Sequence, residues 1–170
     1  GRLHAENLAT RIQHAKLIGI ADVNVASAKS AAEQFGIDNI WADYEDALAS
    51  NADAVVICSS TDTHAKIIEE AAAAGKHIFC EKPIDHDLAK IDRALNAVRK
   101  AKVKLQIGFN RRFDPNFRHI KTNVENGAVG ELHIVRITSR DPAPPPIEYV
   151  KVSGGMFFDM TIHDFDMARY

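Results

Sequence analysis

Lys16-Leu17-Ile18-Gly19-Ile20-Ala21-Asp22 decides the fold of this chain, because it has the composition of a buried strand that ends on a carboxylate. A helix-like segment that opens at Gly1 precedes it. In dinucleotide-binding βαβ units an acidic residue follows the glycine-rich turn by roughly 20 positions, and Gly1 and Asp22 have this separation. The stretch predicts that Gly1 is the last glycine of a G-x-G-x-x-G turn whose strand and first two glycines are missing from the sequence.

Strand-like and helical runs alternate over the first two-thirds of the chain, as they do in βαβ units on a parallel sheet. The strand-like runs are dense in Val, Ile, Leu and Phe, which is typical of strands covered on both faces. We therefore predict a Rossmann-type, doubly wound α/β fold, with its first strand missing, over residues 1–109. Strands are expected at 16–21, 54–58, 77–80 and 104–109, helices at 26–35, 62–74 and 85–101, and a shorter strand and helix at 40–41 and 44–49.

The pattern changes after Phe109, where we place a domain boundary. A helix predicted over 114–126 leads into 131–140, a longer run with interspersed polar residues, which indicates a strand of a sheet that is wet on one face. The proline-rich stretch 141–146 cannot belong to a central strand. Residues 110–170 are therefore expected to begin an α+β substrate and oligomerisation domain with an open antiparallel sheet, incomplete at its C-terminus.

The composition excludes several classes of partner. The 170 residues are 46% hydrophobic and 26% charged with a formal net charge of −2, so there is no electrostatic case for nucleic acid or an anionic membrane. No apolar run approaches the roughly 20 residues that span a bilayer, and the cytoplasm is the expected location. Cys58 and Cys80 each end an apolar run without metal or redox spacing, which predicts two buried thiols and no disulfide.

Two separated segments contain side chains suited to deprotonating a hydroxyl group. One is Glu81-Lys82-Pro83, at the end of a predicted strand, and the other runs from Ser153 to His163. If Ser153 caps a helix that continues to the end of the chain, Asp159 and His163 lie four positions apart on one face and can hydrogen-bond. That arrangement is a general base with its orienting carboxylate, and Lys82 would be a cation beside it.

A metal site is the main local alternative, because Asp159, His163 and Asp166 are spaced to share one helical face. Two carboxylates and an imidazole could bind a divalent cation. We favour a base without a metal, since a metal site would leave Glu81-Lys82-Pro83 and Asp22 unexplained. The other histidines lack such a setting, and four of them are expected at the surface or at an edge: His14, His86, His119 and His133.

Glu81-Lys82-Pro83 followed by the pattern G-G-x-x-x-D-x-x-x-H-D over 154–164 resembles the glucose-fructose oxidoreductase, inositol dehydrogenase and rhizopine-catabolism (Gfo/Idh/MocA) family, over essentially the whole chain. Within the family, residues 139–146 and 151–169 are similar to those of inositol-oxidising members. The resemblance implies an NAD-dependent dehydrogenase that oxidises a secondary hydroxyl of a cyclic polyol, myo-inositol to 2-keto-inositol, with His163 as general base. Other sugar dehydrogenases, NAD-dependent glycosidases and non-catalytic dinucleotide-sensing regulators share the fold and stay open as alternatives.

The resemblance also implies a role for each matching residue. Asp22 would hold the adenosine ribose and repel the 2′-phosphate of NADP. Lys82 would reach the reacting hydroxyl, and the Lys82-Pro83 bond is a candidate cis peptide. The implied NAD-binding residues are Gly1, Asp22, Ser59, Ser60, Thr61, His64, Glu81 and Lys82, the implied substrate residues are Lys82, Arg112, Asp141, Asp159 and His163, and the implied catalytic residues are Lys82, Asp159 and His163. The implied partner is a small polyol or sugar, and the implied assembly is a homotetramer.

Overall fold

The computed structural model describes residues 1–170. Short strands alternate with helices as far as Ile107, and helices alone follow. The strands are β1 (Gly19–Ala21), β2 (Asn39–Trp41), β3 (Ala54–Ile57), β4 (His77–Cys80) and β5 (Leu105–Ile107). The α-helices are α1 (Arg2–Thr10), α2 (Val25–Phe35), α3 (Tyr44–Ala49), α4 (Thr61–Ala73), α5 (Leu88–Ala101), α6 (Pro115–Glu125), α7 (Ile147–Val152) and α8 (Ile162–Arg169).

Every strand pair is parallel. Strand β1 pairs with β2, with Ile20 opposite Ile40, and a second sheet has the order β3-β4-β5, with Ile78 opposite both Val55 and Leu105. No ladder joins β1 to β3. Parallel strands connected through helices are the doubly wound α/β arrangement, so the predicted Rossmann fold is confirmed.

The helices begin where the sequence supplies side-chain caps. Asn24, Asp87 and Asp114 precede α2, α5 and α6, and each accepts a hydrogen bond from a backbone N–H of the first turn. Such a cap contributes about 1 kcal/mol. Helix α2 ends at Gly36, whose φ of 68° is a left-handed conformation that glycine adopts without strain. The predicted boundaries agree within three residues for most elements, and no helix is both long and apolar enough to cross a membrane.

The main core lies between the β3-β4-β5 sheet and helices α4 and α5. Ile68 of α4 is completely buried there. The buried members of the cluster are Ile57, Ala65, Ile67, Ile68, Ala71, Ala72, Ile78, Cys80, Ala94 and Val98. Truncating a residue such as Ile68 to Ala costs about 2–5 kcal/mol in cores of this kind. The segments that follow β3 and β4 therefore start from strands that are packed rigidly against this core, and this packing fixes the position of the side chains in those segments.

The strand predicted at 131–140 is not formed. These residues take part in no β-ladder, and their apolar side chains Leu132, Ile134 and Val135 are exposed. An alternating sequence shows only which face of a strand would be buried. A strand also needs a paired neighbour to satisfy its N–H and C=O groups, and residues 131–140 pair with no other strand. The open antiparallel sheet expected for the second domain is accordingly not present in these residues.

The C-terminal helix also differs from the prediction. Ser153 does not start a helix but ends α7, and Gly154 and Gly155 follow with φ of 78° and 82°. A five-residue π-helical turn, Phe157–Thr161, then leads into α8. Paired positive φ values interrupt a helix, and the wider π turn rotates residues relative to the spacing of an α-helix. The side-chain register predicted for Asp159 and His163 is changed as a result.

Candidate active site

A cleft of about 1110 Å³ opens beyond β3 and β4, beside the first turn of α1. Ligands bind at the carboxyl ends of strands in open α/β sheets. Four parts of the chain build its walls: the start of α1, the segment after β3, the segment after β4, and residues 149–159. Of the predicted site residues, the cleft is lined by Gly1, Ser59, Ser60, Thr61, His64, Glu81, Lys82 and Asp159.

His64 connects two walls of the cleft. The residue is 2% exposed, and its Nδ1 lies 2.8 Å from the carbonyl oxygen of Pro83 while its Nε2 lies 3.1 Å from that of Ser59. Pro83 follows a cis peptide bond from Lys82, as the sequence predicted. Since both ring nitrogens face backbone carbonyls, His64 holds the loop after β3 against the turn that carries Lys82.

Glu81 is anchored by a histidine that sequence reasoning missed. His4 on α1 places its Nε2 2.6 Å from Oε1 of Glu81, and its ring lies against Phe79 at a centroid distance of 5.0 Å. The Glu81 carboxylate packs on the backbone of Gly108, where an added Cβ would come within 2.7 Å of Oε2. The sequence feature that could have pointed to His4 is its position in the first turn of the helix after Gly1. This contact joins the start of α1 to the end of β4.

Lys82 forms the central ion pair of the cleft. Its Nζ donates to Oδ1 of Asp159 at 3.0 Å and to the main-chain oxygen of Asp159 at 2.6 Å. Both side chains are mostly buried, 17% and 20% exposed. Tyr149, which the sequence did not single out, donates its hydroxyl to the same Oδ1 at 2.7 Å. Burial raises the pKa of Asp159, but hydrogen bonds from Tyr149 and Lys82 outweigh burial and hold it below its usual value.

The predicted hydrogen bond between Asp159 and His163 is absent. The Asp159 carboxylate is bound by Lys82 and Tyr149, and Nδ1 of His163 is buried without a hydrogen-bond partner. An ammonium group is a stronger donor to a carboxylate than a neutral imidazole, and the π turn shifts the relative orientation of the two residues. His163 is not among the side chains that line the cleft.

The environment of His163 favours its neutral form. Burial lowers its pKa, and the positive charges of Lys82 and Arg111 lower it further, against smaller opposing effects of Asp164 and Asp159. Arg111 is paired with Asp164, which also accepts a hydrogen bond from Ser139 at 2.6 Å. This second ion pair flanks the histidine on α8, and it was not predicted.

Three predicted residues lie elsewhere. Arg112 donates two hydrogen bonds, of 2.8 and 2.5 Å, to the carboxylate of Asp166, which is 8% exposed. Asp141 is exposed in the proline-rich stretch. Asp22 is exposed after β1, where its Oδ1 accepts from the Asn24 N–H at 2.8 Å. None of these three lines the cleft, so the chain itself gives Arg112 a structural ion pair rather than an open substrate-binding position.

The metal alternative is not supported by the geometry. Asp166 is bound by Arg112 and Asp159 by Lys82, so neither carboxylate is turned toward His163 as a joint ligand. No group of three or more His, Cys, Asp or Glu side chains is placed to hold a metal ion. Spacing along a helix is therefore a poor guide here, because basic residues distant in the sequence pair with the carboxylates.

His86 is not the surface or edge residue that the sequence predicted. Its Nε2 is buried without a partner, and its ring packs edge-on against Phe158 at 5.2 Å. A Cβ on Gly154 would lie only 2.5 Å from Nε2. His86 thus occupies the wall of the cleft against the backbone of Gly154, whereas His14, His119 and His133 are exposed as expected.

The two thiols are only partly as predicted. Cys80 is fully buried in the core, but Cys58 is half-buried and lines the cleft near Gly1. Burial raises the pKa of both thiols, to about 12 for Cys80. Neither is therefore an activated nucleophile at neutral pH.

A doubly wound parallel sheet, a cleft at its carboxyl ends and a lysine–carboxylate pair within that cleft define the class of dinucleotide-dependent oxidoreductases. Two family profiles match the sequence. The oxidoreductase family with an NAD-binding Rossmann fold matches residues 1–109, and the GFO/IDH/MocA C-terminal domain matches residues 117–170. The chain belongs to the Gfo/Idh/MocA oxidoreductase family.

Individual relatives agree with this placement. The chain is 51% identical over its whole length to myo-inositol 2-dehydrogenase of Thermotoga maritima, covering 51% of that protein, and 49% identical to inositol 2-dehydrogenase of Rhizobium meliloti, again covering 51%. It superposes with a TM-score of 0.91 on scyllo-inositol dehydrogenase from Lactobacillus casei, whose crystal structure has bound NAD(H) and scyllo-inositol. That comparison has 39% identity and covers 99% of this chain and 53% of the other. The chain spans about half the length of these relatives.

The residues beside α1 fit a dinucleotide. Gly1 is the N-cap of α1 and Ser60 that of α4, and neither helix start is closed by a side-chain hydrogen bond. Free N–H groups at a helix start, next to a glycine, are suited to a pyrophosphate. At Gly1 a Cβ would already be 3.9 Å from the Cβ of Cys58, so the start of α1 lies close to the end of β3. The cofactor of this fold, NAD, would lie along these residues and Glu81.

Proposed function

We propose that this chain carries the NAD-binding and catalytic residues of a dehydrogenase that oxidises a secondary hydroxyl of an inositol, or of a related cyclic polyol, to a ketone. The observation that carries the proposal is the Lys82 ammonium, bound at 3.0 Å by Asp159 in the cleft that Glu81 and the start of α1 also line. NAD supplies the hydride acceptor when it is bound. The inositol dehydrogenases among the relatives support a polyol substrate.

We assign His163 as the base that accepts the proton of the reacting hydroxyl. Burial and two nearby cations lower its pKa, so the imidazole is neutral at pH 7 and able to accept a proton. His163 would accept the hydroxyl proton as the carbon-bound hydrogen departs with its electron pair, for which bound NAD would supply the acceptor. The substrate would become a ketone, and the imidazolium of His163 would return its proton to water.

We assign Lys82 as the group that contacts the reacting oxygen and stabilises the charge that develops on it. A fixed ammonium favours the negative charge that develops on this oxygen as its proton departs. Asp159 keeps the ammonium in place through its carboxylate and its main-chain oxygen. The carboxylate thus serves the lysine, rather than orienting the imidazole as the sequence suggested.

A steady-state screen tests the assignment. The purified enzyme with NAD is expected to form NADH stoichiometrically with myo-inositol or another inositol. His163→Ala should lower kcat by roughly two to four orders of magnitude without weakening NAD binding. His14→Ala, at an exposed histidine, is the matched control. If His163→Ala kept normal turnover and the same pH profile, Lys82 would be the next candidate for the base.

The same screen separates the alternatives. A glycosidase would show no net NADH with polyols, a regulator would bind the dinucleotide without turnover, and another sugar dehydrogenase would prefer a different substrate.

We also propose that residues 1–109 and 110–170 belong to two domains and that the protein is a cytoplasmic homotetramer. These last assignments stay predictions.

A further inference from the structure

Helix α7 brings a tyrosine into the cleft that the proposed chemistry does not yet use. Tyr149, Val152 and Ser153 line the cleft, although the residues of α7 are exposed to solvent on their other side. The side-chain hydrogen bonds of the segment are otherwise local: Lys151 pairs with Glu148, and Ser153 bonds to the carbonyl of Val150. The Tyr149 hydroxyl is the group that bonds α7 to the π-helical turn, through Asp159.

The Asp159 carboxylate has two donors on one oxygen. Oδ1 accepts from Tyr149 at 2.7 Å and from Lys82 at 3.0 Å. A carboxylate held by two donors has little freedom to rotate, so the Tyr149 bond fixes the direction from which Oδ1 meets the ammonium. The hydrogen bond to Asp159, together with burial, raises the pKa of Tyr149 to about 12, and the phenol therefore stays a neutral donor at any working pH.

We propose that Tyr149 is a positioning residue for the dehydrogenase reaction: its hydroxyl fixes Asp159 on the Lys82 ammonium and thereby sets where Lys82 meets the substrate oxygen. The proposal rests on the proposed function for its kinetic consequence. The contact between Tyr149 and Asp159 itself is independent of which substrate the enzyme uses.

The chain offers a matched control for removal of the hydroxyl. Tyr44 also donates to a carboxylate, Oε2 of Glu70, at 2.7 Å, but Tyr44 lies on α3 and outside the cleft. Tyr149→Phe and Tyr44→Phe thus delete the same kind of bond in two places. Comparing the two variants distinguishes the general effect of losing a tyrosine–carboxylate hydrogen bond from the specific effect of losing the one beside Lys82.

Kinetics provide the first test. Tyr149→Phe is expected to lower kcat with an inositol about ten-fold while KM for NAD stays the same, because Asp159 loses one of the two donors on its Oδ1 and holds the ammonium less firmly. Tyr44→Phe should leave both unchanged. Thermal unfolding of the two variants should match. Unchanged kcat in Tyr149→Phe, or an equal loss in Tyr44→Phe, would overturn the proposal.

A spectroscopic test does not depend on turnover. In protein labelled at the tyrosine Cζ carbon, NMR at neutral pH should show that Asp159→Asn moves the resonance that Tyr149→Phe removes, whereas Glu70→Gln moves that of Tyr44 only. An inactive parent enzyme would refute the proposed function, and the NMR result would then decide on the contact alone. A Tyr149 resonance that Asp159→Asn leaves unchanged would overturn the proposal that Tyr149 positions Asp159.

Discussion

Lys82 and Asp159 are 77 positions apart in the sequence and meet through two hydrogen bonds, one to the carboxylate and one to the main-chain oxygen. The pair joins the turn after β4 to the π-helical turn before α8. Because the main-chain oxygen takes part, the ammonium is held partly by the backbone conformation of this turn. Substitutions at the two positions should consequently differ in their effects.

Lys82→Ala should reduce turnover more than Asp159→Asn. Removing the lysine deletes the cation that we assign to the reacting oxygen, and we expect a loss of roughly 10²–10⁴-fold in kcat. Asp159→Asn keeps the main-chain acceptor and a side-chain oxygen, so we expect about 10-fold to 10²-fold. Initial rates with saturating NAD and inositol measure both. Equal losses would show that the charge of Asp159 matters more than the position of the ammonium.

Arg111→Gln should move the pH profile of the enzyme. Burial, Lys82 and Arg111 lower the pKa of His163, so the neutral base persists below the ordinary imidazole pKa of about 6.5. Without the Arg111 charge the pKa of His163 rises, and the acid side of the kcat/KM profile should move to higher pH. Arg118→Gln, at an exposed arginine, should leave the profile in place. A shift toward lower pH would contradict the assignment of this titration to His163.

His64→Ala should destabilise the fold. The buried imidazole spans the carbonyls of Ser59 and Pro83, and its loss leaves a cavity and an unpaired buried acceptor. We expect the free energy of unfolding to fall by about 2–4 kcal/mol. Urea denaturation followed by circular dichroism measures the change, with His119→Ala as the exposed control. A loss no larger than that of the control would mean that the two loops hold together without the imidazole.

Cys58 should react with thiol reagents before Cys80. Both thiols have a pKa raised by burial, but Cys58 is half-buried whereas Cys80 is 0% exposed with a pKa of about 12. Labelling with a maleimide at pH 8, followed by peptide mass spectrometry, should modify Cys58 slowly and Cys80 only after unfolding in urea. Saturating NAD should slow the reaction of Cys58, because this residue lines the proposed cofactor cleft. Modification of Cys80 in the folded protein would contradict the packing described for the core.

Asp22→Ser should narrow the preference for NAD over NADP. Asp22 is exposed directly after β1, and if it binds the adenosine ribose as proposed, its carboxylate would accept from the ribose hydroxyls and repel a 2′-phosphate. The ratio of kcat/KM for the two cofactors measures the effect. If the unmodified enzyme used both cofactors equally well, the assignment of Asp22 to the ribose would be wrong.

The sequence by itself determined the alternation of strands and helices and the chemical groups available to the site. Both are local properties: an apolar run such as 54–57 or a capped helix such as α5 is specified by neighbouring residues. The motif around Lys82 and the pair Asp159 and His163 could likewise be read in order along the chain.

Only the tertiary structure decided which of these groups pair. Asp159 bonds to Lys82 and Tyr149 instead of His163, and Arg112 bonds to Asp166 instead of facing the cleft. Residues 131–140 show the same limit, since their alternating pattern forms no strand without a neighbouring segment. A carboxylate or an unpaired backbone group takes the best donor or acceptor within about 3 Å, and that choice depends on distances between residues far apart in the sequence.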